Sequence, residues 1–331
     1  MEDIQYIDVH FQEHHVAIPF YEINGRSPGP HIFLSAGMHG GEINGIAVIE
    51  SFLEWSDKVN LQAKLNGKIT VLPIMNPSGF ANKQRRVAED KGDLNRAFGT
   101  ESPTNFSEQI AHDLTQRIFK HCDFGFDFHD ASGSAALLPH ARFIKDELNG
   151  FTHEMAQLFG TKIIIERTGK PSMMAIALNQ NYQTPVLTVE VGGAQRLFPD
   201  FVKLALRGIR NFLAAKEMYP GEIIVPDRQF ILMDRYGIKQ KEAAMVEFSA
   251  KLGDRVHAED ILGELYFPTR IERREIRSPM CGFIFSLQQF NQVEAGDTLF
   301  SILELDSCHV ARTTLDQFRE AENLKVTKIR M

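Results

Sequence analysis

The sequence predicts an α/β protein: a mixed, mostly parallel sheet covered by helices, followed by a small β domain. Between about residues 30 and 220, short apolar runs typical of buried strands alternate with runs that have helical apolar spacing. After residue 220 the runs become short and β-like, and turns with Gly or Pro separate them. A chain of 331 residues has room for one large and one small domain. We therefore predict an α/β domain over 1–220, a β module over 221–305 and a helical tail over 306–331.

The elements of the first region follow from these runs. The predicted strands are His31–Ala36, Lys68–Pro73, Phe124–Phe128, Lys162–Glu166 and Pro185–Glu190. The predicted helices are Ile43–Trp55, Ser107–Lys120, Lys145–Phe159, Met173–Asn179 and Asp200–Lys216. In sheets of this kind, functional residues lie at the carboxyl ends of the strands.

The second region contains short predicted strands and an internal echo. The strands are Glu222–Val225, Gln229–Met233, Ala243–Phe248, Ile261–Tyr266, Arg270–Ile276, Gly282–Leu287 and Thr298–Leu303. The stretch KLGDRVHAEDILGEL (251–265) aligns with QFNQVEAGDTLFSIL (289–303), and each copy reads as a turn followed by an apolar strand. Two such copies predict a small β structure with pseudo-twofold symmetry. Residues 313–323 have the pattern of a short amphipathic helix.

Composition excludes several classes of function. The formal net charge is −7 and no Lys/Arg cluster carries interleaved aromatic residues, which argues against a nucleic-acid partner. No run approaches the ~18 apolar residues of a membrane span, and the first residues lack the pattern of a signal peptide. Cys122, Cys281 and Cys308 have neither metal-ligand nor redox spacing. We expect a cytoplasmic protein with reduced thiols that acts on a soluble small molecule, without a nucleic-acid or membrane partner.

A histidine and a glutamate three residues apart occupy the predicted corner between the first strand and the first helix. His39 and Glu42 lie among Gly37, Gly40 and Gly41, and glycines allow the tight bend that lets both side chains converge. Imidazole nitrogen and carboxylate oxygen are ligands that zinc prefers, and a catalytic site uses three protein ligands. Alone, this spacing also fits an ordinary surface pair. A third ligand from another strand end is needed.

The stretch DFGFDFHDASG (123–133) supplies that ligand. His129 follows directly after the predicted strand Phe124–Phe128, at the edge where His39 and Glu42 are expected. Asp127, two residues earlier, is suited to bind a ligand histidine from outside the metal shell. Alone, His129 would be read as a hydrogen-bonded structural histidine, but together the three residues predict a zinc site.

Two further stretches have residues suited to amide hydrolysis. The loop 76–99 is rich in Arg and Asn, and arginines suit carboxylate binding and oxyanion stabilisation. Glu190 closes the apolar strand of TPVLTVEVGG (184–193), where a carboxylate is costly to bury without a partner or a role. Beside the water of a zinc site it could take a proton and pass it to the leaving nitrogen.

The order of these motifs resembles the succinylglutamate desuccinylase/aspartoacylase family, a branch of the zinc carboxypeptidase (M14-like) superfamily. The resemblance covers about residues 30–215 and rests on HxxE, NP…R…DLNR, D-x-H and T-x-E-x-G-G. It implies a zinc carboxypeptidase-like fold and one zinc ion per chain. Its implied zinc ligands are His39, Glu42 and His129, its catalytic glutamate is Glu190, and its implied carboxylate-binding residues are Asn95 and Arg96.

An arginine upstream of DLNR polarises the scissile carbonyl in this family. Arg85 and Arg86 are both candidates, and we prefer Arg86 because Val87, an apolar residue, follows it. This chain departs from the family in having Phe128 before the third ligand and in lacking the frequent proline after the DLNR stretch. Neither change touches the metal ligands. Within ALLPHARF (136–143), His140 and Arg142 are pocket candidates without a motif match.

The β module resembles the barrel-sandwich module of the longer predicted deacylases of this family, which is similar to biotinyl and lipoyl domains. A carrier domain needs a lysine at a hairpin tip, and the turn Phe267-Pro268-Thr269-Arg270 has none. A lid, a specificity wall or a contact in a homo-oligomer fits better than a carrier role.

The function implied is a zinc-dependent amidohydrolase that deacylates a small N-acyl amino acid or related compound. A metallocarboxypeptidase acting on short peptides is the alternative with the same site. A non-catalytic binding protein with a vestigial site is the alternative from another class, and the complete set of ligands argues against it.

Overall fold

The structure is a computed structural model that describes residues 3–131, 133–144, 150–193, 195–232 and 234–304, and the backbone of 324–330. The chain forms two compact units, Met1–Gly133 with Pro139–Leu232, and Ser134–Leu138 with Met233–Met331. The helices are α1 (Ile43–Val59), α2 (Pro77–Ala81), α3 (Phe106–Arg117), α4 (Phe151–Phe159), α5 (Met174–Tyr182) and α6 (Pro199–Ala215). Within the described residues, no helix is long and apolar enough to cross a bilayer.

The strands, in chain order, are β1 (Gln5–Phe11), β2 (His14–Asn24), β3 (Ser27–Ser35), β4 (Asn66–Leu72), β5 (Phe124–Ala131), β6 (Ala135–Leu137), β7 (His140–Ile144), β8 (Ile163–Arg167), β9 (Val186–Gly193), β10 (Phe230–Leu232), β11 (Asp234–Gln240), β12 (Ala244–Phe248), β13 (Arg255–Val256), β14 (Ile261–Phe267), β15 (Glu272–Arg277), β16 (Gly282–Gln288), β17 (Gln292–Val293), β18 (Thr298–Glu304) and β19 (Leu324–Arg330).

The sheet of the first unit is mixed and mostly parallel, as predicted. Its order is β1-β2-β4-β3-β5-β9-β7-β8-β10. The pairs β3–β4, β3–β5, β5–β9, β7–β8 and β8–β10 are parallel. The pairs β1–β2, β2–β4 and β7–β9 are antiparallel. The carboxyl ends of β3, β5 and β9 therefore lie at one edge of the sheet.

Alternation along the central strands gives this sheet two apolar faces. Ile32, Leu34, Phe126 and Phe128 pack with residues of α1, α4 and α6 in one core. The neighbouring Phe33 belongs to the other core, which contains residues of α3 and α5. Asp127, His129 and Glu190 share that second face because they alternate with the residues of the first core.

The second unit consists of short antiparallel strands around its own apolar core. One group has the order β6-β16-β18-β11-β19, with β13 paired to β16, and the other has the order β15-β14-β12-β17. The predicted echo is present as two copies of a two-residue strand followed by a seven-residue strand, β13–β14 and β17–β18. The barrel-sandwich assignment stays a prediction.

Several predicted boundaries differ from the structure. Residues 134–138 belong to the second unit, and β10 pairs with β8 of the first unit, so the units do not divide at residue 220. Glu222–Val225 is not a strand. The helix predicted over 313–323 lies outside the described residues, and 324–330 form β19 rather than part of a helical tail. The hairpin β1–β2 and the strand β7 were not predicted.

Candidate functional site

The corner between β3 and α1 brings His39 and Glu42 together. Gly37 adopts a φ of +63°, a conformation that glycine reaches without strain. A Cβ atom on Gly40 would lie 1.9 Å from the carbonyl carbon of Gly79, so this corner passes too close to α2 for any side chain there. The Glu42 N–H donates to the carbonyl of His39 at 3.1 Å, which closes the turn immediately before the helix. The glycines thus allow the side chains of His39 and Glu42 to converge, as the sequence predicted.

Glu42 binds both predicted histidine ligands. Its Oε1 lies 2.7 Å from Nδ1 of His39, and its Oε2 lies 2.8 Å from Nδ1 of His129. All three residues are buried, and their candidate ligand atoms lie within 4.8 Å of one another. The structure therefore brings the three predicted ligands, from the β3–α1 corner and from β5, to one point.

Each of these imidazoles also contacts a second carboxylate. Nε2 of His129 lies 2.7 Å from Oδ2 of Asp127, and Ser35 donates to the other oxygen of Asp127 at 3.0 Å. Nε2 of His39 lies 3.1 Å from Oδ1 of Asp93. Histidines that bind metals commonly donate their other ring nitrogen to a carboxylate, which fixes the tautomer and the ring orientation. Asp127 was predicted in this role from the sequence, whereas Asp93 was not, although it begins the DLNR motif.

The electrostatics of this cluster favour positive charge at its centre. Burial by itself would raise the pKa of Glu42, but the charges of His129 and His39 and their hydrogen bonds hold it well below its usual range. Burial would lower the pKa of His129, yet the charges of Asp127 and Glu42 raise it well above its usual range. Burial also opposes ionisation of Asp93, but His39 and Arg85 outweigh it and lower its pKa.

Of the two adjacent arginines, Arg85 and not Arg86 contacts this cluster. Arg85 donates to Oδ2 of Asp93 from Nε at 3.1 Å and from Nη2 at 3.0 Å, and its Nη1 lies 3.7 Å from Oε1 of Glu42. Arg86 is exposed and donates to the backbone carbonyl of Lys91 at 2.9 Å. The geometry does not support the preference for Arg86, because adjacent loop residues point in different directions and an apolar neighbour does not decide which one points inward.

Asn95 and Arg96 lie beside the cluster in different environments. Asn95 is buried, and its Oδ1 accepts a hydrogen bond from the N–H of Met174 at 3.0 Å, so it fixes the start of α5. Arg96 is exposed, and its Nη1 donates to the backbone carbonyl of Asn95 at 2.6 Å. Their role in binding a substrate carboxylate stays a prediction.

Glu190 lies on β9, in register with His129 on β5 and with His140 on β7. Its Oε1 lies 3.1 Å from Nη1 of Arg142. Its Oε2 is buried and has no hydrogen-bond partner among the described residues. A buried carboxylate oxygen without a partner suits a group that receives a proton from a bound molecule.

A second arginine near Glu190 was not anticipated. Arg167 ends β8 and donates to Oγ1 of Thr188 at 3.1 Å and to the sulfur of Met173 at 3.3 Å. Burial, and then the charge of Arg142, lower the pKa of Arg167 to about 10. The sequence signal for Arg167 was weak, because the apolar run Ile163–Ile165 is followed by two charged residues, Glu166 and Arg167.

Comparison with known proteins places this site in a family. Residues 28–216 match the succinylglutamate desuccinylase/aspartoacylase catalytic domain, and this match spans more than half of the chain. The chain belongs to the succinylglutamate desuccinylase/aspartoacylase family.

One relative in this family is the N-alpha-acetyl-L-2,4-diaminobutyric acid deacetylase of Halomonas elongata. It is 26% identical over 291 residues, which are 85% of this chain and 84% of the relative. The product-bound ectoine utilization protein EutE (DoeB) of Ruegeria pomeroyi has a TM-score of 0.75 at 20% identity and covers 92% of this chain and 96% of its own. A succinylglutamate desuccinylase/aspartoacylase of Rhodobacter sphaeroides has a TM-score of 0.74 at 20% identity and covers 91% and 95%. These structures share the fold.

The family site in this chain fits a divalent metal ion. Two imidazoles and a carboxylate are a donor set that zinc accepts, and outer carboxylates hold both imidazoles. Glu42 is a buried carboxylate whose pKa is held low by the charges of His129 and His39, and a metal ion would supply positive charge at the same place. His39, Glu42 and His129 could therefore hold a metal.

Proposed function

We propose that this protein is a zinc-dependent deacylase that hydrolyses the amide bond of a small N-acylated amino acid or related compound. The observation that carries the proposal is Glu190. It is in register with the candidate ligand His129 and has a buried carboxylate oxygen without a partner among the described residues. The name of the Halomonas relative, a deacetylase matched along most of both chains, supports amide hydrolysis at this site.

Each residue has a role in this proposal. A zinc ion held by His39, Glu42 and His129 would supply Lewis acidity and lower the pKa of a nearby water. Glu190 removes a proton from that water through Oε2 and transfers it to the leaving nitrogen.

The arginines and the asparagine act on the substrate. We assign to Arg85 the stabilisation of the developing oxyanion, because it is the arginine of the pair that contacts the cluster. Asn95 and Arg96 bind a carboxylate of the substrate, as the family resemblance implies.

A substrate panel tests the reaction. Zinc-loaded protein would be assayed with N-acetyl and N-succinyl amino acids, Nα-acetyl-L-2,4-diaminobutyrate and dipeptides. We expect release of free amino groups from at least one N-acyl amino acid and slower release from dipeptides. Faster turnover of the dipeptides would favour the carboxypeptidase alternative. No turnover of any of these substrates by protein with full metal occupancy would favour a binding protein.

The variant Glu190→Gln tests the proposed base. The amide keeps the shape of the carboxylate but cannot accept a proton, so we expect a loss of about 10²–10⁴ in rate. Zinc content should stay near that of the wild type, whereas Tm should fall because Arg142 loses its carboxylate partner, so turnover is measured per folded molecule. Glu154→Gln is the control, because Glu154 on α4 is paired with Lys216, the residue after α6, and belongs to no part of the site. Turnover per folded molecule above a tenth of wild type in Glu190→Gln, with normal zinc content, would contradict the assignment.

A further inference from the structure

We propose that Arg142 is a positioning residue for Glu190, holding one oxygen of its carboxylate so that the other faces the reacting water. The inference rests on the proposed function, since it concerns the group that acts there as the base. From the sequence, Arg142 was a candidate pocket residue to which no role was assigned.

The contacts of Arg142 fix its guanidinium plane. Nη1 lies 3.1 Å from Oε1 of Glu190, and Nε donates to Nε2 of His140 at 3.1 Å. A guanidinium can only donate, so Nε2 of His140 is the acceptor. His140 is fully buried, and the side chain of Arg142 is only 23% exposed. Because both contacts come from one rigid planar group, the guanidinium of Arg142 has little freedom to rotate or shift.

The sheet sets the positions from which these side chains start. β7 pairs antiparallel with β9, so that His140 lies opposite Glu190 and Arg142 lies opposite Thr188. Cross-strand partners and alternate residues share a face of a sheet. His140, Arg142 and Glu190 therefore start from one face of two adjacent strands, and their geometry does not depend on a loop.

The positive charge of Arg167 favours the ion pair between Arg142 and Glu190. Arg167 and Arg142 are close enough for their charges to interact, and Arg167 itself is bonded to Thr188 and Met173. Two guanidinium groups in a partly buried site repel each other unless an anion lies between or beside them. Within the described residues, Glu190 forms an ion pair with Arg142.

The bond to Arg142 has a chemical consequence for Glu190. The terminal torsion of a glutamate is broad, so a carboxylate without a fixed partner samples many orientations. With Oε1 held by Arg142, Oε2 keeps one orientation, and it is the oxygen without a partner among the described residues. A misplacement of about 1 Å at such a group can reduce a rate about 10²-fold.

A double-mutant cycle tests whether Arg142 acts through Glu190. The substrate is Nα-acetyl-L-2,4-diaminobutyrate, or N-succinyl-L-glutamate if the first is not hydrolysed. We expect Arg142→Met to lower kcat about 10²-fold, with KM changed less than about threefold. Arg142→Lys should recover part of kcat, because a lysine can reach Glu190 but cannot bind His140 in the same fork. In the Glu190→Gln background, Arg142→Met should have almost no further effect.

Arg117→Met is the matched control for this cycle. Arg117 is an arginine of α3 whose Nη2 lies 4.0 Å from Oδ2 of Asp113, and it belongs to no part of the site. Any effect of this variant on turnover should multiply with the effect of Glu190→Gln. The proposal is wrong if the losses from Arg142→Met and Glu190→Gln multiply, or if Arg142→Met changes KM and leaves kcat unchanged.

Crystal structures give a readout that does not depend on any substrate. In the wild type, Glu190 should have one carboxylate orientation bonded to Arg142. In Arg142→Met, the carboxylate should turn or occupy several orientations while the backbone of β9 stays in place. An unchanged, singly oriented Glu190 in this variant would overturn the proposal. Such a result would leave the deacylase proposal intact, which the substrate panel tests separately.

Discussion

Each imidazole of the candidate metal site lies between two carboxylates. His39 contacts Glu42 and Asp93, and His129 contacts Glu42 and Asp127. The inner carboxylate, Glu42, is shared, and each outer one contacts the ring nitrogen that does not face Glu42. At the scale of residues, the site is therefore a chain of five side chains in which each orients the next.

The outer carboxylates should control metal affinity. Replacing Asp93 or Asp127 with Asn removes the charge that fixes Nε2 of its histidine, and we expect metal affinity to fall about 10- to 100-fold in each variant. Competition with a chromophoric chelator measures this change. Asp113→Asn on α3 is the control, because the hydrogen bond and the ion pair of Asp113 are with Gln109 and Arg117 of the same helix. Wild-type affinity in both site variants would show that these acids do not support the ligands.

The adjacent arginines should differ sharply in their effect on turnover. Arg85→Met removes a guanidinium that contacts Asp93 and lies near Glu42, and we expect kcat/KM to fall about 10²–10³-fold. Arg86→Met removes an exposed contact with a backbone carbonyl, so turnover and Tm should change little. Steady-state kinetics of the two variants decides between them, and a larger loss in Arg86→Met would restore the assignment made from sequence.

The sequence predicted the three residues of the candidate metal site but not its complete surroundings, for a physical reason. His39, Glu42 and His129 follow apolar strands, and strand ends converge by a general rule. The choice between Arg85 and Arg86 depends on side-chain directions in an irregular loop, where no periodicity exists to read.

At the scale of elements, the β3–α1 corner and α2 approach each other more closely than side chains allow. A Cβ atom on Gly40 would lie 1.9 Å from the carbonyl carbon of Gly79, which is backbone and cannot turn aside. A Cβ atom on Gly41 would lie 3.2 Å from Nε2 of Gln195, the end of a flexible side chain. A side chain at position 40 would thus meet fixed backbone, whereas one at position 41 would meet only a side chain that can move.

This difference predicts unequal stability losses. Gly40→Ala should lower the free energy of unfolding by more than about 3 kcal/mol, because the backbone must move apart at a packed contact. Gly41→Ala should cost less than about 1 kcal/mol, because the side chain of Gln195 can move. Chemical denaturation of both variants checks this order. Equal losses would mean that the corner is not packed against Gly79.

The elements that sequence analysis missed have weak apolar signals. In β1 only Ile7 and Val9 are fully buried and Phe11 is half-buried, while the other positions are exposed, so the apolar alternation is short. The strand β7 is only His140–Ile144 and begins with a buried histidine, which does not read as the start of a strand. The helices α1 and α6 were predicted correctly because each has four or more turns of regular apolar spacing.

At the scale of the whole molecule, the second unit repeats one arrangement of strands. β13 pairs with β16 and β17 pairs with β12, while β14 pairs with β12 and β18 pairs with β16. The turn in each copy is closed in the same way: Asp260 accepts from the N–H of His257 at 2.7 Å, and Asp297 accepts from the N–H of Glu294 at 2.8 Å. The echo in the sequence was therefore a structural repeat.

From the hairpin β14–β15 of this unit, we predict that the protein carries no covalent cofactor. The turn between β14 and β15 contains Pro268, Thr269, Arg270 and Ile271, and no lysine that biotin or lipoate could modify. The intact mass of the protein purified from its native host should equal the sequence mass. An increase that matches biotinyl or lipoyl attachment would contradict this prediction.

The division into units could not be predicted from local patterns. Residues 134–138 join the second unit through pairing of β6 with β16, about 150 residues further along the chain. The strand β10 joins the first unit through parallel pairing with β8. Such non-local pairings leave no local mark in composition, whereas the change from helical to β-like runs near residue 220 is visible along the chain.

The measurement that tests the central claim most directly is a metal titration of turnover. Protein stripped with a chelator would be assayed on the best N-acyl amino acid of the panel while Zn²⁺ is added in steps. We predict negligible turnover without metal and a linear recovery that ends at one zinc per chain, with no recovery in His129→Ala. Full turnover in the stripped protein, or full recovery in His129→Ala, would contradict the claim that His39, Glu42 and His129 form a catalytic metal site.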